Sequence, residues 1–400
     1  MMGASFRFIH CADLHLGSSF TGLSSSDAAL GQRMRDSLFS ALDAIVEKAI
    51  DEKVDFVIFS GDIFDTSNET PLTRSRFADA LAKIRVPCFI AFGNHDYKRR
   101  WESSIPFPKN AFVFPEKLTK IKYVKNKKTA AYISGASFSA KHTSEDITAG
   151  AKGSPDAFNI GIFHCNLDAA KQDDDYAPCQ LSSMLTKGMD YWALGHIHKR
   201  EILHEDPYVV YPGNTQGRNH KEEGEKGAYL VTVTNDAVTD MQFFRTGPIL
   251  WRDIELDISN RSDVESLISQ IGDVEEGSML RIVLTGRGTL DSIARQDPNG
   301  LAELIEARTK CKVTKLDVQS GPDLDLESRK DTGDFISAVI NYGNRLESST
   351  RDELLDMICC TTTAKSMRNR FELFSDDELR QIVRDATYMI VDKMSEDRLQ

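Results

Sequence analysis

What the chain lacks narrows the choice first. Its seven cysteines are odd in number and form no CxxC pair, which excludes a zinc ribbon or a disulfide framework and leaves reduced core residues; Cys359-Cys360, the one cluster, has no metal-site spacing. No apolar run reaches the ~18 residues needed to cross a bilayer. No room exists for a signal peptide before the first candidate ligand, Asp13, so the expected location is cytoplasmic, without membrane attachment. There is no excess of positive charge either: Lys and Arg total 49 against 61 Asp and Glu, a net charge of -12, which argues against a generally basic nucleic-acid binder. Internal repeats and long low-complexity tracts are also missing.

What remains is a globular composition, 40% hydrophobic and 28% charged over 400 residues, enough for two or three domains. Two local basic stretches stand out, Lys98-Arg99-Arg100 and the run Lys117, Lys120, Lys122, Lys125, Lys127, Lys128. The default for the second is a solvated face.

Phe6 to Cys11 is a short apolar strand, and Arg33 to Lys53 carries Leu38, Leu42, Ile45, Val46 and Ala49 at the spacing of one helix face. Val54 to Phe59 is a continuous apolar run that stops at Ser60-Gly61-Asp62, the pattern of a strand buried on both faces. Pro71 to Ile84 predicts a helix with Pro at its start, and further strands are expected at Pro87–Phe92, Ala131–Phe138, Phe158–Phe163, Tyr191–Leu194, Tyr208–Tyr211 and Gly227–Val233. From about Leu250 a fresh strand–helix–strand–helix–strand pattern runs to Val318. The expected domains are 1–249, a small α/β domain at 250–320, and 321–400, a polar linker (Ser320 to Asp334) followed by a charged helical segment. Within that segment Glu378 to Met394 repeats apolar residues at helical spacing, a stripe that must be covered by a partner or by its own domain.

Five of the apolar strands end in Asp, His or Asn: Asp13 and His15, Asp62, Asn94 and His95, His164, and His196 and His198. In open α/β sheets ligands gather at the carboxyl ends of strands, so these side chains should converge on one edge. Imidazole, carboxylate and amide without thiolate suit Mn, Fe or Zn. The count fits two ions, one held by Asp13, His15, Asp62 and His198, the other by Asp62, Asn94, His164 and His196, with Asp62 shared. Two divalent ions carry more positive charge than two Asp ligands cancel, leaving a surplus suited to hydroxide and a phosphodiester. His95 is then a general acid or phosphate-positioning group with Asp65 or Asp96 to orient it. His10 is expected to pack within its strand, and His142, His204 and His220 to lie at the surface.

With those residues in hand the chain resembles the calcineurin-like metallophosphoesterases, whose motif series DxH, GD, GNHD, H and GHxH runs through the first 240 or so residues. Cys11-Ala12-Asp13-Leu14-His15-Leu16-Gly17 and Gly61-Asp62-Ile63-Phe64-Asp65 are similar to the SbcD branch of DNA repair exonucleases. Tyr211-Pro212-Gly213-Asn214-Thr215-Gln216-Gly217-Arg218, with Gly224-Glu225-Lys226-Gly227, is most similar to the YhaO type of that branch. The resemblance implies an αββα sandwich with a small α/β capping domain. It also implies a two-metal, manganese-dependent DNA exonuclease with a coiled-coil, SbcC-like ATPase as partner, and homodimerisation through the phosphoesterase domain. Asp65 stands where relatives commonly carry a second histidine, so endonuclease activity is not part of the expectation. Two competing functions share the ligand set: a small-molecule phosphodiesterase or protein phosphatase, and an ATPase scaffold with a vestigial site.

Overall fold

The structure is a computed structural model that describes residues 3–20, 28–65, 69–98, 101–168, 177–323 and 326–396. Arg99 and Arg100 of the first basic stretch lie outside the described residues. The chain divides into two compact units, residues 1–253 with 275–281, and residues 254–274 with 282–400.

The first unit is built on two sheets. In one, β1 (Phe6–Cys11), β2 (Phe56–Ser60), β3 (Cys88–Ala91) and β4 (Ala111–Val113) run parallel, and β13 (Gly227–Thr234) and β14 (Ala237–Arg245) extend it antiparallel beside β1. In the other, β6 (Lys128–Gly135), β7 (Phe158–His164), β10 (Tyr191–Gly195) and β12 (Tyr208–Tyr211) are parallel, flanked by antiparallel β5 (Thr119–Lys125) and β11 (Glu201–Glu205). A short pair, β8 (Asn166–Leu167) and β9 (Pro178–Cys179), lies beyond the end of β7.

Strand periodicity explains the layering. In β1 and β2 the alternate residues Phe6, Phe8, Phe56 and Ile58 enter the core between the sheets, where they meet Ile160, Ile162, Tyr191 and Ala193. The intervening Ile9, Cys11, Val57 and Phe59 pack under helices α1 (Ala28–Asp51) and α2 (Pro71–Ile84). Both faces are therefore apolar, as the continuous run predicted. Helix α1 begins before the expected Arg33 because Leu30 and Met34 prolong its stripe onto Ile249, Trp251 and Met279. In α2 the Thr70 side chain caps Thr73 N and Pro71 takes the first turn. The outer layer on the second sheet is thinner, with the four-residue helix Leu181–Met184 and loops covering Trp192, Leu194 and Tyr211. This is the expected αββα sandwich with one lean helical layer.

His10 is buried between the sheets, accepting from the Tyr191 hydroxyl (3.0 Å) and donating to Leu194 O (3.2 Å), and burial lowers its pKa to about 3. Three lysines of the run lie on β5, an edge strand, with Lys120 and Lys122 exposed and Lys125 paired to Asp55 at 2.7 Å. Charge on an edge blocks pairing with another sheet. His220, expected at the surface, is half-buried edge-on against Trp251 and paired with Asp253 at 3.1 Å.

The second unit contains most of a three-stranded sheet, β15 (Trp251–Asp257), β16 (Met279–Thr285) and β17 (Lys312–Val318), with helices at Val264–Ile268, Leu290–Gln296 and Pro298–Thr309. Ser320 and Gly321, at the start of the expected linker, are buried and bonded to Asp291 and Gly286. The long final helix Asp376–Glu396 sets Leu379 and Val383 against Leu354 and Leu355, and Val391 against Ile336 and Ile340. Arg287 ties it to the sheet module through a fork onto Asp392 (3.0 and 2.5 Å). No helix among the described residues is long and apolar enough to cross a membrane.

Candidate metal centre

Parallel register brings the ligand-bearing turns together. Cys11 pairs with Phe59, Ser60 with Ala91, and Gly195 with His164, so Asp13, Asp62, Asn94, His164 and His196 all leave strands at one edge. The turns stay laced beyond the sheet: Asp13 N donates to Gly61 O (3.0 Å) and His15 N to Asp62 O (2.9 Å). Asp13, His15, Asp62 and His196 take left-handed backbone angles (φ 55°, 46°, 48° and 102°), which non-glycine residues adopt at a cost. Gly61 and Gly93 are required beside them, since a Cβ at Gly61 would strike the His164 ring and one at Gly93 the Asp62 carboxylate.

The side chains then converge. Asp62 accepts His95 N on Oδ1 (2.9 Å), which leaves Oδ2 facing His164 Nε2 at 3.3 Å and His15 Nε2 at 3.7 Å. On one side of that oxygen, His15 Nε2 and His198 Nε2 approach to 3.1 Å and Asp13 Oδ1 stands 3.9 Å from His198 Nε2. On the other, His164 Nε2 lies 2.9 Å from Asn94 Oδ1, and the His196 ring stands edge-on to His164 with centroids 5.2 Å apart. Asp13 also comes within 3.9 Å of His164, but at Nδ1, which is committed to Ser60 O at 3.0 Å. Asp62 is thus the carboxylate that both halves share.

The donor set fits divalent cations. Apart from the exposed mouth, these groups are buried, and several imidazole lone pairs face other acceptors. His198 Nδ1 donates to Glu222 Oε1 (2.7 Å), so its Nε2 presents a lone pair toward His15. With Nδ1 of His164 donating to Ser60 O, its Nε2 confronts the Asn94 and Asp62 oxygens, so the gap is filled either by a cation or by a second proton on the ring; against burial, the Asp62 carboxylate raises the His164 pKa to about 9. Burial holds His15 well below its ordinary pKa and His196 down at about 3, keeping both rings available as neutral ligands. Burial also disfavours a charged Asp62, but His164, then His15 and His95, hold its carboxyl below the usual range. Burial lifts Asp13 to about 6 against the pull of His164 and His198.

His95 stands apart. Its side chain is 34% exposed, its Nδ1 lies 3.1 Å from Asp65 Oδ1, and that hydrogen bond raises its pKa and lowers that of Asp65. It also comes within ligand reach of His15 and Asp62. Of the two residues expected to orient it, Asp65 makes the contact. Asp96 instead accepts from Ile63 N, Phe64 N and Gly93 N (3.1, 2.8 and 2.9 Å), clamping the Asp62 turn to the Asn94 turn. Burial, then the Asp62 charge, pushes Asp96 up to about 7.

Sequence reasoning missed Glu222. Its Oε1 orients His198, while Oε2 accepts from Asn214 Nδ2 and Arg218 N, each at 2.7 Å. Such a carboxylate behind a ligating histidine fixes its tautomer and direction. The only signal was its place in the polar loop between β12 and β13, which no spacing rule connects with His198.

The calcineurin-like phosphoesterase family model matches residues 6–200. The Bacillus subtilis (strain 168) protein described as uncharacterized metallophosphoesterase YhaO is 31% identical over 401 residues, spanning 97% of this chain and 98% of that relative. Among solved structures, TT1561 of Thermus thermophilus shares 13% identity with a TM-score of 0.34, over 60% of this chain and 99% of its own. A family match that spans the clustered turns, together with 31% identity to a metallophosphoesterase over nearly the whole of both chains, shows that this chain belongs to the calcineurin-like phosphoesterases, a family of metal-dependent phosphoester hydrolases.

Proposed function

We propose that this phosphoesterase is a DNA exonuclease of the SbcD branch, using two manganese ions in cytoplasmic DNA repair. The observation that carries the two-ion reading is the single oxygen, Asp62 Oδ2, placed between His15 and His164. Bound there, a pair of ions would supply an activated water and charge neutralisation for an in-line displacement at phosphorus. The chain's own part is to orient. Asp13, His15, Asp62 and His198 would hold one ion, and Asp62, Asn94, His164 and His196 the other. Asp65 fixes the Nδ1 side of His95, so that Nε2 can meet the leaving oxygen or a phosphate oxygen.

The choice of DNA rests on the motif resemblance and on the open side of the centre. His95 and His198 are 34% and 24% exposed, whereas Asp13, His15, Asp62 and His164 are at most 3% exposed. A long phosphodiester can be presented to such a mouth. The sheet module of the second unit would cap and position it. The reading further includes a coiled-coil ATPase as partner and a homodimer. Met389 and Ile390, 65% and 48% exposed on the final helix, are apolar anchors of the kind a partner groove takes.

The deciding experiment is a manganese-supplemented assay on single-stranded DNA, duplex DNA and nucleotide diesters. Release of mononucleotides from DNA ends is expected; cleavage of the small diesters alone would replace the nuclease reading with a small-molecule phosphodiesterase. Asp62→Asn is expected to lose activity together with ion occupancy, whereas His95→Ala should keep both ions and lose roughly 10²–10⁴-fold in kcat. Metal content by atomic emission distinguishes them, and ion loss in His95→Ala would make His95 a ligand. Glu222→Ala should weaken metal affinity by about 10–100-fold through its loss of hold on His198, measured by competition with a chelator. Met389→Asp combined with Ile390→Asp is expected to abolish co-purification of the ATPase and leave diester cleavage intact. Retained co-purification would place the docking surface elsewhere.

A further inference from the structure

One cation at the mouth of the site is poorly partnered. Arg218 follows β12 in the loop that also carries Glu222, and its side chain is 19% exposed. Its guanidinium offers five N–H donors. The contacts they make are long, Nη1 to Ser18 Oγ at 3.4 Å and Nη2 to Glu222 Oε1 at 3.5 Å, and although Nη2 also stands 3.3 Å from His198 Nδ1, that nitrogen is itself a donor to Glu222 and cannot accept from it. Its Nε is buried without a hydrogen bond. Charge-assisted bonds of this type normally close to about 2.7–2.9 Å.

The neighbouring carboxylate cannot close that gap, because Glu222 is already engaged at 2.7 Å by His198, by Asn214 and by the Arg218 backbone. Nor does Ser18: its hydroxyl donates onward to Asp65 Oδ2 (3.1 Å), whose other oxygen holds His95. Arg218 and His95 therefore stand at the two ends of a Ser18–Asp65 link, both on the exposed side of the centre. A fixed positive charge beside a site built for two cations is unfavourable by itself. It becomes favourable when an anion arrives between them.

We propose that Arg218 is a substrate-binding residue of the catalytic site, its guanidinium taking the non-bridging oxygens of the phosphodiester at the His15–His198 side of the centre. The inference rests on the phosphodiesterase reading and adds to it the group that grips the phosphate. Planar, two-pronged donation is what phosphate recognition uses, and a lysine supplies the charge without the fork.

The test uses the full chain loaded with manganese, with inorganic phosphate as the binding probe in calorimetry and a chromogenic bis-aryl phosphate as substrate. Arg218→Gln should keep two ions, lose at least about tenfold in phosphate affinity, and drop roughly 10²-fold in kcat/KM, the scale of removing one oxyanion donor. Arg218→Lys should recover part of both losses. Phosphate affinity unchanged in Arg218→Gln with both ions retained overturns the proposal. So does loss of ions in both variants, which would make Arg218 a prop for His198. Wild-type protein that binds phosphate through Arg218 yet leaves DNA intact supports this inference while refuting the nuclease reading.

Discussion

The structure depends on one carboxylate oxygen. Asp62 Oδ2 is almost without solvent and stands between imidazoles of two different turns, His15 from the β1 end and His164 from the β7 end, so it joins the two sheets as well as the two halves of the centre. Its partner oxygen is tied down by His95 N, and the turn that carries it by two backbone donors, Ile63 N and Phe64 N, to Asp96. Removing any of these would release a buried charge into a site that cannot solvate it. The apolar core between the sheets serves this arrangement by fixing their separation.

That core also accounts for what a linear reading can recover. The strands carrying Asp13, Asp62 and Asn94 are parallel and covered on both faces, so their sequences are unbroken apolar runs with abrupt polar ends. Each end points at the same edge by the geometry of parallel sheets. The αββα class follows from the same runs. Antiparallel edge strands were harder. β5 alternates exposed with half-buried residues and β14 mixes them less regularly, patterns indistinguishable from a solvated loop until the partner strand is seen.

Residues behind the ligands were not legible for a different reason. Glu222 and Arg218 act through a loop that folds back onto His198 from about twenty residues downstream in sequence, and nothing local in Asn219-His220-Lys221 announces the contact. Asp65 and Asp96 illustrate the limit well: both flank the site in sequence, and only the hydrogen bonds show that one serves His95 and the other the backbone. The C-terminal stripe was ambiguous because one helix uses two faces. Leu379, Val383 and Val391 turn inward while Met389 and Ile390 remain outside, a split that helical periodicity cannot assign.

The left-handed turns carry a consequence for selectivity among ions. Asp13, His15, Asp62 and His196 are held in sparsely populated backbone angles by cross-turn hydrogen bonds that involve no metal. The turns proposed to hold the ions are therefore braced by the protein's own hydrogen bonds. A pliant loop site would reshape itself around whichever cation is most tightly bound and follow the general affinity order of the transition metals. A rigid one penalises each ion for its misfit, so that ionic radius and preferred coordination number, set by the spacing of the strands, decide occupancy.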